Sequence, residues 1–194
     1  MIVIFGGAFN PPTIAHYEVA KHVLALPFVK SLLFVPVGDH YKKKALIPAF
    51  HRVKMLQIMI NELPNAHVST VEIKADRALR TIETLEKIQN KYPEERLAFV
   101  MGADNLSGLT NWYEYEKLVT RFKMIIVGRG ELDVHHFIKE NFGFAAEKFL
   151  VIDDFAKMEV SSTKYRAEVT RSELLLSGVE KYIKEHGLYS TRCN

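Results

Sequence analysis

Ile2-Val3-Ile4-Phe5-Gly6-Gly7-Ala8-Phe9-Asn10-Pro11-Pro12-Thr13-Ile14-Ala15-His16 decides the fold. Four apolar residues run into a glycine pair, and a Phe-Asn-Pro-Pro turn follows. Apolar residues then recur at helical spacing (Ile14, Val19, Val23, Leu24) until Pro27 closes the run. The pattern is a buried strand at 2–5 entering a helix at 14–26 through a tight loop. Glycines there permit close backbone approach and positive φ. The helix start offers unpaired N–H groups and a positive dipole end, both suited to phosphate. The loop is neither a Walker A sequence nor a GxGxxG fingerprint.

The same alternation continues outward. Apolar runs predict strands at 32–37, 97–101, 123–127 and 149–152, and 68–73 is strand-like. Apolar spacing predicts helices at 49–63, 81–92 and 134–141, then at 162–169 and 179–186. Strands alternating with helices imply βαβ units. The expectation is a Rossmann-like, doubly wound α/β fold with a mostly parallel sheet. One domain spans 1–194, with a helical C-terminal part from about 161. In such sheets ligands lie beyond the carboxyl ends of the strands, where the strand order reverses.

Composition narrows the class. The 194 residues suit a single domain, and 48% hydrophobic with 25% charged residues excludes disorder, collagen and coiled coil. The 26 Lys and Arg against 23 Asp and Glu leave only +3. That excess is too mild for a nucleic-acid protein and suits small anionic substrates. A single Cys193 excludes a disulfide framework and a thiolate zinc site. The chain has neither a membrane-length apolar run nor a signal-peptide pattern at its start, so a cytoplasmic location with no membrane partner is expected. A homo-oligomer stays open.

Four further blocks follow predicted strands or open predicted helices. Pro36-Val37-Gly38-Asp39-His40-Tyr41-Lys42-Lys43-Lys44 leads through Ile47-Pro48 to His51-Arg52-Val53. Its lysines are either a solvated run or a positive patch for phosphate. Thr81-Ile82-Glu83-Thr84-Leu85 opens a helix, where a threonine can simply cap. Gly102-Ala103-Asp104-Asn105 ends a strand, and the only Trp, Trp112, follows; it is either a core aromatic or a stacking platform. Val160-Ser161-Ser162-Thr163-Lys164-Tyr165-Arg166 starts a helix, as a cap or as a phosphate cradle. Thr13 and His16, three apart, share a helix face that would point toward the glycine loop. His16 could alternatively pack beneath the sheet.

Taken together, Gly7-x-Phe9-Asn10-Pro11-x-Thr13-x-x-His16 resembles the H/T-x-G-H signature of nucleotidyltransferases. The Phe-Asn-Pro lead-in and the lysine block are similar to the nicotinamide/nicotinate mononucleotide adenylyltransferases. Val160 to Arg166 resembles their Ile-Ser-Ser-Thr-Lys-x-Arg motif. Thr13 stands where many bacterial members carry His, Ala15 replaces the usual Gly, and Val160 replaces Ile.

The resemblance implies adenylyl transfer from ATP to a pyridine mononucleotide. It implies His16, Thr13, Lys43 and Arg166 as catalytic. It places ATP on Gly7, Ala8, Phe9, His16, Gly102, Asp104, Ser161, Ser162, Thr163, Lys164 and Arg166. The mononucleotide would meet Asn10, Lys43, Lys44, Thr81, Thr84 and Trp112. Mg2+ would be carried by ATP with no dedicated protein ligands. Arg52 reads as structural. Two rivals stay open: another small-molecule nucleotidyltransferase, such as a pantetheine-phosphate enzyme, and a non-catalytic nucleotide-binding regulator. The motifs do not separate nicotinate from nicotinamide; the short chain and the Gly102–Asn105 segment point to the acid.

Overall fold

A computed structural model describes residues 1–42, 45–128, 132–153, 155, 160–167 and 172–189. Strand β1 (Ile2–Gly7) leads to helix α1 (Ile14–Leu24), β2 (Ser31–Pro36), α2 (Ala49–Ile60), β3 (Ala66–Val68) and α3 (Thr81–Lys91). The chain then returns as β4 (Leu97–Gly102), α4 (Ala103–Leu106), α5 (Tyr115–Arg121), β5 (Lys123–Val127), α6 (Val134–Phe142) and β6 (Phe149–Ile152). Helices α7 (Ser162–Ala167) and α8 (Ser177–Glu185) close it.

The strands form one six-stranded sheet in the order β3-β2-β1-β4-β5-β6. Every pairing is parallel, as in Ile4 opposite both Leu33 and Phe99. The fold is therefore the expected Rossmann-like α/β arrangement. The chain moves outward from β1 to β3, then restarts on the other side of β1 with β4. This reversal opens a crevice beyond the carboxyl ends of β1 and β4.

Side-chain alternation along β1 explains why helices cover both faces. Val3 and Phe5 join one apolar cluster with α1, α2 and α8 through Val19, Met55 and Val179. Ile2 and Ile4 join the other with α3, α5 and α6 through Leu85, Leu118 and Ile138. All six residues of β4 are buried, which explains its continuous apolar sequence. Among the described residues no helix is long and apolar enough to cross a membrane.

Three features depart from the sequence expectation. The strand predicted at 68–73 is only Ala66–Val68. Beyond Ser69, whose N–H still bonds to the Phe34 carbonyl at 2.8 Å, the chain turns, with Lys74 N–H on the Thr70 carbonyl and Ala75 N–H on the Glu72 carbonyl. Gly38 allows this turn to pack closely, because a Cβ there would lie 2.4 Å from the Glu72 carbonyl oxygen. Helices α4 and α5 were not anticipated, although Leu118, Val119 and Phe122 carry a helical spacing that is fully buried. Finally, the strand runs through Gly6 and Gly7 without positive φ. The left-handed residue is Phe9, at φ 46°.

Candidate active site

Glycine at position 7 makes room for an aromatic ring. A Cβ there would sit 3.1 Å from the Phe9 ring, which is 1% exposed. Phe9 packs edge-on to Phe5 and Phe34, with ring centres 5.6 and 5.5 Å apart. It also packs at 5.1 Å from His16. The left-handed turn at Phe9 thus buries a ring beneath the loop and leaves the loop backbone at the sheet edge.

Thr13 and His16 act on each other across the first turn of α1. Thr13 N–H donates to His16 Nδ1 at 2.9 Å, and Thr13 Oγ1 lies 2.8 Å from the same nitrogen. A nitrogen that accepts a backbone N–H carries no proton itself. The imidazole is therefore the neutral tautomer with Nε2–H as its donor. Thr13 is 1% exposed and acts as the orienting residue, while His16 lines the crevice.

Three distant segments anchor the loop. Arg52, on α2 and fully buried, donates from Nε to the Ile47 carbonyl (2.9 Å), from Nη1 to the Ala8 carbonyl (3.1 Å) and from Nη2 to Asp39 Oδ1 (3.1 Å). Burial lowers its pKa, and Asp39 opposes that shift. Asn10 is 1% exposed; its amide donates to the Ala45 carbonyl at 2.7 Å, and its Oδ1 accepts from Tyr189 Oη–H at 2.7 Å. Burial pushes the Tyr189 phenol upward, so it stays a donor. From α7, Ser162 Oγ donates to the Pro11 carbonyl at 2.7 Å and Arg166 Nη1 donates to the Asn10 carbonyl at 2.6 Å. Ser161 caps α7 by accepting Lys164 N–H at 3.1 Å.

The crevice itself is a cavity of about 670 Å³, within the size range of small-molecule sites. It is lined by the glycine loop, His16 and the Ser161-Ser162-Thr163 segment with Arg166, and also by Trp112, Tyr113, Arg80, Thr81, Thr84, Gly102 and Asp104. Trp112 meets Phe99 edge-on at 6.0 Å. Thr84 does not cap α3. Its hydroxyl donates to Glu72 Oε1 at 2.7 Å, and burial raises the Glu72 pKa against that hydrogen bond. Capping falls instead to Glu83, which accepts Arg80 N–H at 2.7 Å. Arg77 holds the same carboxylate at 2.6 and 3.0 Å. Chiefly through that pairing, Glu83 titrates at about 2.

A cytidylyltransferase-like family model matches residues 4–168. A probable nicotinate-nucleotide adenylyltransferase of Caldicellulosiruptor bescii is 32% identical over 97% of this chain and 98% of its own. The nicotinate-nucleotide adenylyltransferase of Bacillus subtilis is 30% identical over 98% of both chains. The chain belongs to the nicotinate-nucleotide adenylyltransferase family. Its fold is also that of the Plasmodium falciparum nicotinic acid mononucleotide adenylyltransferase complexed with NaAD, with a TM-score of 0.82 and 24% identity over 97% of this chain and 96% of that one.

Against this adenylyltransferase background, the residues singled out in the sequence fall into three groups. Gly7, Ala8, Phe9, His16, Thr81, Thr84, Gly102, Asp104, Trp112, Ser161, Ser162, Thr163 and Arg166 all line the cavity. Thr13, Asn10 and Lys164 do not. Thr13 and Asn10 instead fix His16 and the loop from behind, which corrects the expectation that Thr13 faces the ligand beside His16. Lys43 and Lys44 lie outside the described residues. Glu72, Arg80, Tyr41 and Tyr113 line the cavity without having been anticipated. Only their nearness to a motif could have marked Arg80 and Tyr113, which directly precede Thr81 and follow Trp112.

Proposed function

We propose that this protein transfers the adenylyl group of ATP to nicotinate mononucleotide, giving nicotinate adenine dinucleotide and pyrophosphate. The observation that carries the reading is a single crevice at the β1/β4 reversal. It brings together in one cavity a fixed imidazole, the loop backbone and the only Trp of the sequence. Such a crevice suits two phosphorylated ligands held end to end.

The mononucleotide 5′-phosphate is already an anion, so no general base is required. One of its oxygens attacks the α-phosphorus of ATP. The bond from that phosphorus to the α–β bridging oxygen breaks, and the electron pair leaves on pyrophosphate. Catalysis is alignment together with stabilisation of charge on the α-phosphate. His16 Nε2–H and the Gly7–Phe9 backbone would donate to the α- and β-phosphates. Ser161, Ser162, Thr163, Lys164 and Arg166 would hold the departing β/γ end. Gly102 and Asp104 would accept the ribose side, and Trp112 would stack on the pyridine ring. Thr81 and Thr84 would border the mononucleotide, with Asn10 supporting from behind. Lys43 and Lys44 would neutralise incoming phosphate charge.

Magnesium would arrive with ATP, held chiefly by its phosphate oxygens and by water, and would neutralise their charge. Asp104, an exposed carboxylate that lines the cavity, is the protein group that could assist it.

Pyrophosphate release from ATP, measured separately with nicotinate mononucleotide, nicotinamide mononucleotide and pantetheine phosphate, tests the reading. Release is expected with the pyridine mononucleotides, fastest with the acid. Release with pantetheine phosphate alone would assign the protein to a different transferase, and no release with any acceptor would favour a regulator. Trp112→Ala is expected to raise KM for the mononucleotide about tenfold, in keeping with about 1–1.5 kcal/mol for a lost aromatic stack. ATP binding should change little; a variant that loses ATP affinity instead contradicts the stacking role.

A further inference from the structure

We propose that Arg80 is the residue that sets the preference for the pyridine acid over the pyridine amide. This rests on the adenylyl-transfer reading above and adds to it the choice of mononucleotide. The acid and the amide share every other group; they differ by one negative charge on the ring. The carboxylate is charged and only accepts hydrogen bonds, whereas the amide is neutral and also donates; a positive group that donates at that point therefore favours the acid.

Arg80 meets the requirements of such a group. It lines the cavity, and its side chain is exposed rather than packed away. It lies directly before Thr81, the first residue of α3. The start of α3 sits beside the Trp112-Tyr113 segment, since Glu83 is near enough to Tyr113 to help raise the phenol's pKa. Arg80 therefore lines the cavity next to the helix start that borders the Trp112-Tyr113 segment, on which the ring would stack.

The charges facing it leave the potential positive. Glu83 is occupied by the two bonds from Arg77 and the bond from Arg80 N–H. Among the described residues no carboxylate forms an ion pair with the Arg80 guanidinium within 4.0 Å. Glu72 also lines the cavity, and it is capped by the Thr84 hydroxyl and held toward its neutral form by burial. Glu114, beside Tyr113, is paired with Lys117 at 3.2 Å. The N-terminal pole of α3 adds to the same sign. Arg also suits a carboxylate by geometry, offering two parallel N–H donors.

The test compares kcat/KM for the two mononucleotides in the wild type, Arg80→Gln and Arg80→Lys. In Arg80→Gln the acid-to-amide ratio is expected to fall about tenfold, mainly through a higher KM for the acid. Arg80→Lys should restore part of the ratio, because it keeps the charge and loses the fork. In the wild type, raising ionic strength should increase KM for the acid more than for the amide, a reading that depends on no variant. An unchanged ratio in Arg80→Gln, a wild type that prefers the amide, or equal salt slopes each overturns the proposal while adenylyl transfer stands. A wild type that uses neither mononucleotide overturns the adenylyl-transfer reading itself, and this proposal with it.

Discussion

His16→Ala is expected to lower turnover at least about 100-fold while the protein stays folded. Loss of one preorganised donor to developing charge commonly costs that much. The structure gives a specific reason to expect the full effect. The ring is locked by Thr13 N–H on Nδ1 and by the Phe5 and Phe9 rings at 5.9 and 5.1 Å. On the proposed mechanism its donor would therefore spend little entropy in reaching a phosphate. His16→Asn would retain a donor but not this lock, and should recover only part of the rate. Turnover within about threefold of wild type in His16→Ala, measured by pyrophosphate release at saturating substrates, would remove His16 from the reaction. Thr13→Val is the companion control. It keeps the backbone N–H on Nδ1, so it should be milder than His16→Ala.

The second large effect is on stability. Arg52→Ala is expected to cost about 3–5 kcal/mol, from two carbonyls left without this donor at about 1–3 kcal/mol each and from the packing of a fully buried side chain. The Ile47 and Ala8 carbonyls lose their Arg52 donor, while Asp39 Oδ1 keeps the Ala49 N–H at 2.8 Å. At about 2–4 °C per kcal/mol for a chain of this size, the melting temperature should drop by about 10 °C. Arg52→Lys should recover little, because one ammonium cannot reach three acceptors in different directions. The Ala8 contact ties this network to the glycine loop, so KM for ATP should rise in whatever fraction remains folded. A melting temperature within about 2 °C of wild type would mean the network is not holding the two loops together.

The strand-turn-helix pattern of 2–16 was readable because it is local. Apolar runs, glycines and a helical period sit next to one another in the chain, and they fixed the sheet, its parallel sense and the position of the crevice. The lysine block and the Ser-Ser-Thr segment were likewise visible as composition on predicted loops. What could not be read was the long-range wiring. Asn10 seemed a ligand, but Tyr189 and Ala45 claim its side chain from 179 and 35 residues away. Thr13 seemed to face outward with His16, yet the helix start turned it inward as a support. Glu72 lies in a stretch that reads as strand because Val68, Thr70, Val71 and Ile73 are β-branched. The close approach at Gly38 bends that segment into a turn and delivers the carboxyl to the cavity. Helix α5 was missed because its apolar set is short and begins after Glu114, a left-handed residue that follows no glycine.

The ties from Ser162, Arg166 and Tyr189 to residues 10 and 11 have a consequence for cooperativity. They join segments 151 to 179 residues apart. The loop after β1 therefore cannot take this arrangement from local folding alone, because long-range contacts form only after the intervening chain is ordered. Its geometry is complete only when α7 and the segment following α8 have docked. Loosening either one would be felt at the loop after β1, at the opposite end of the described chain.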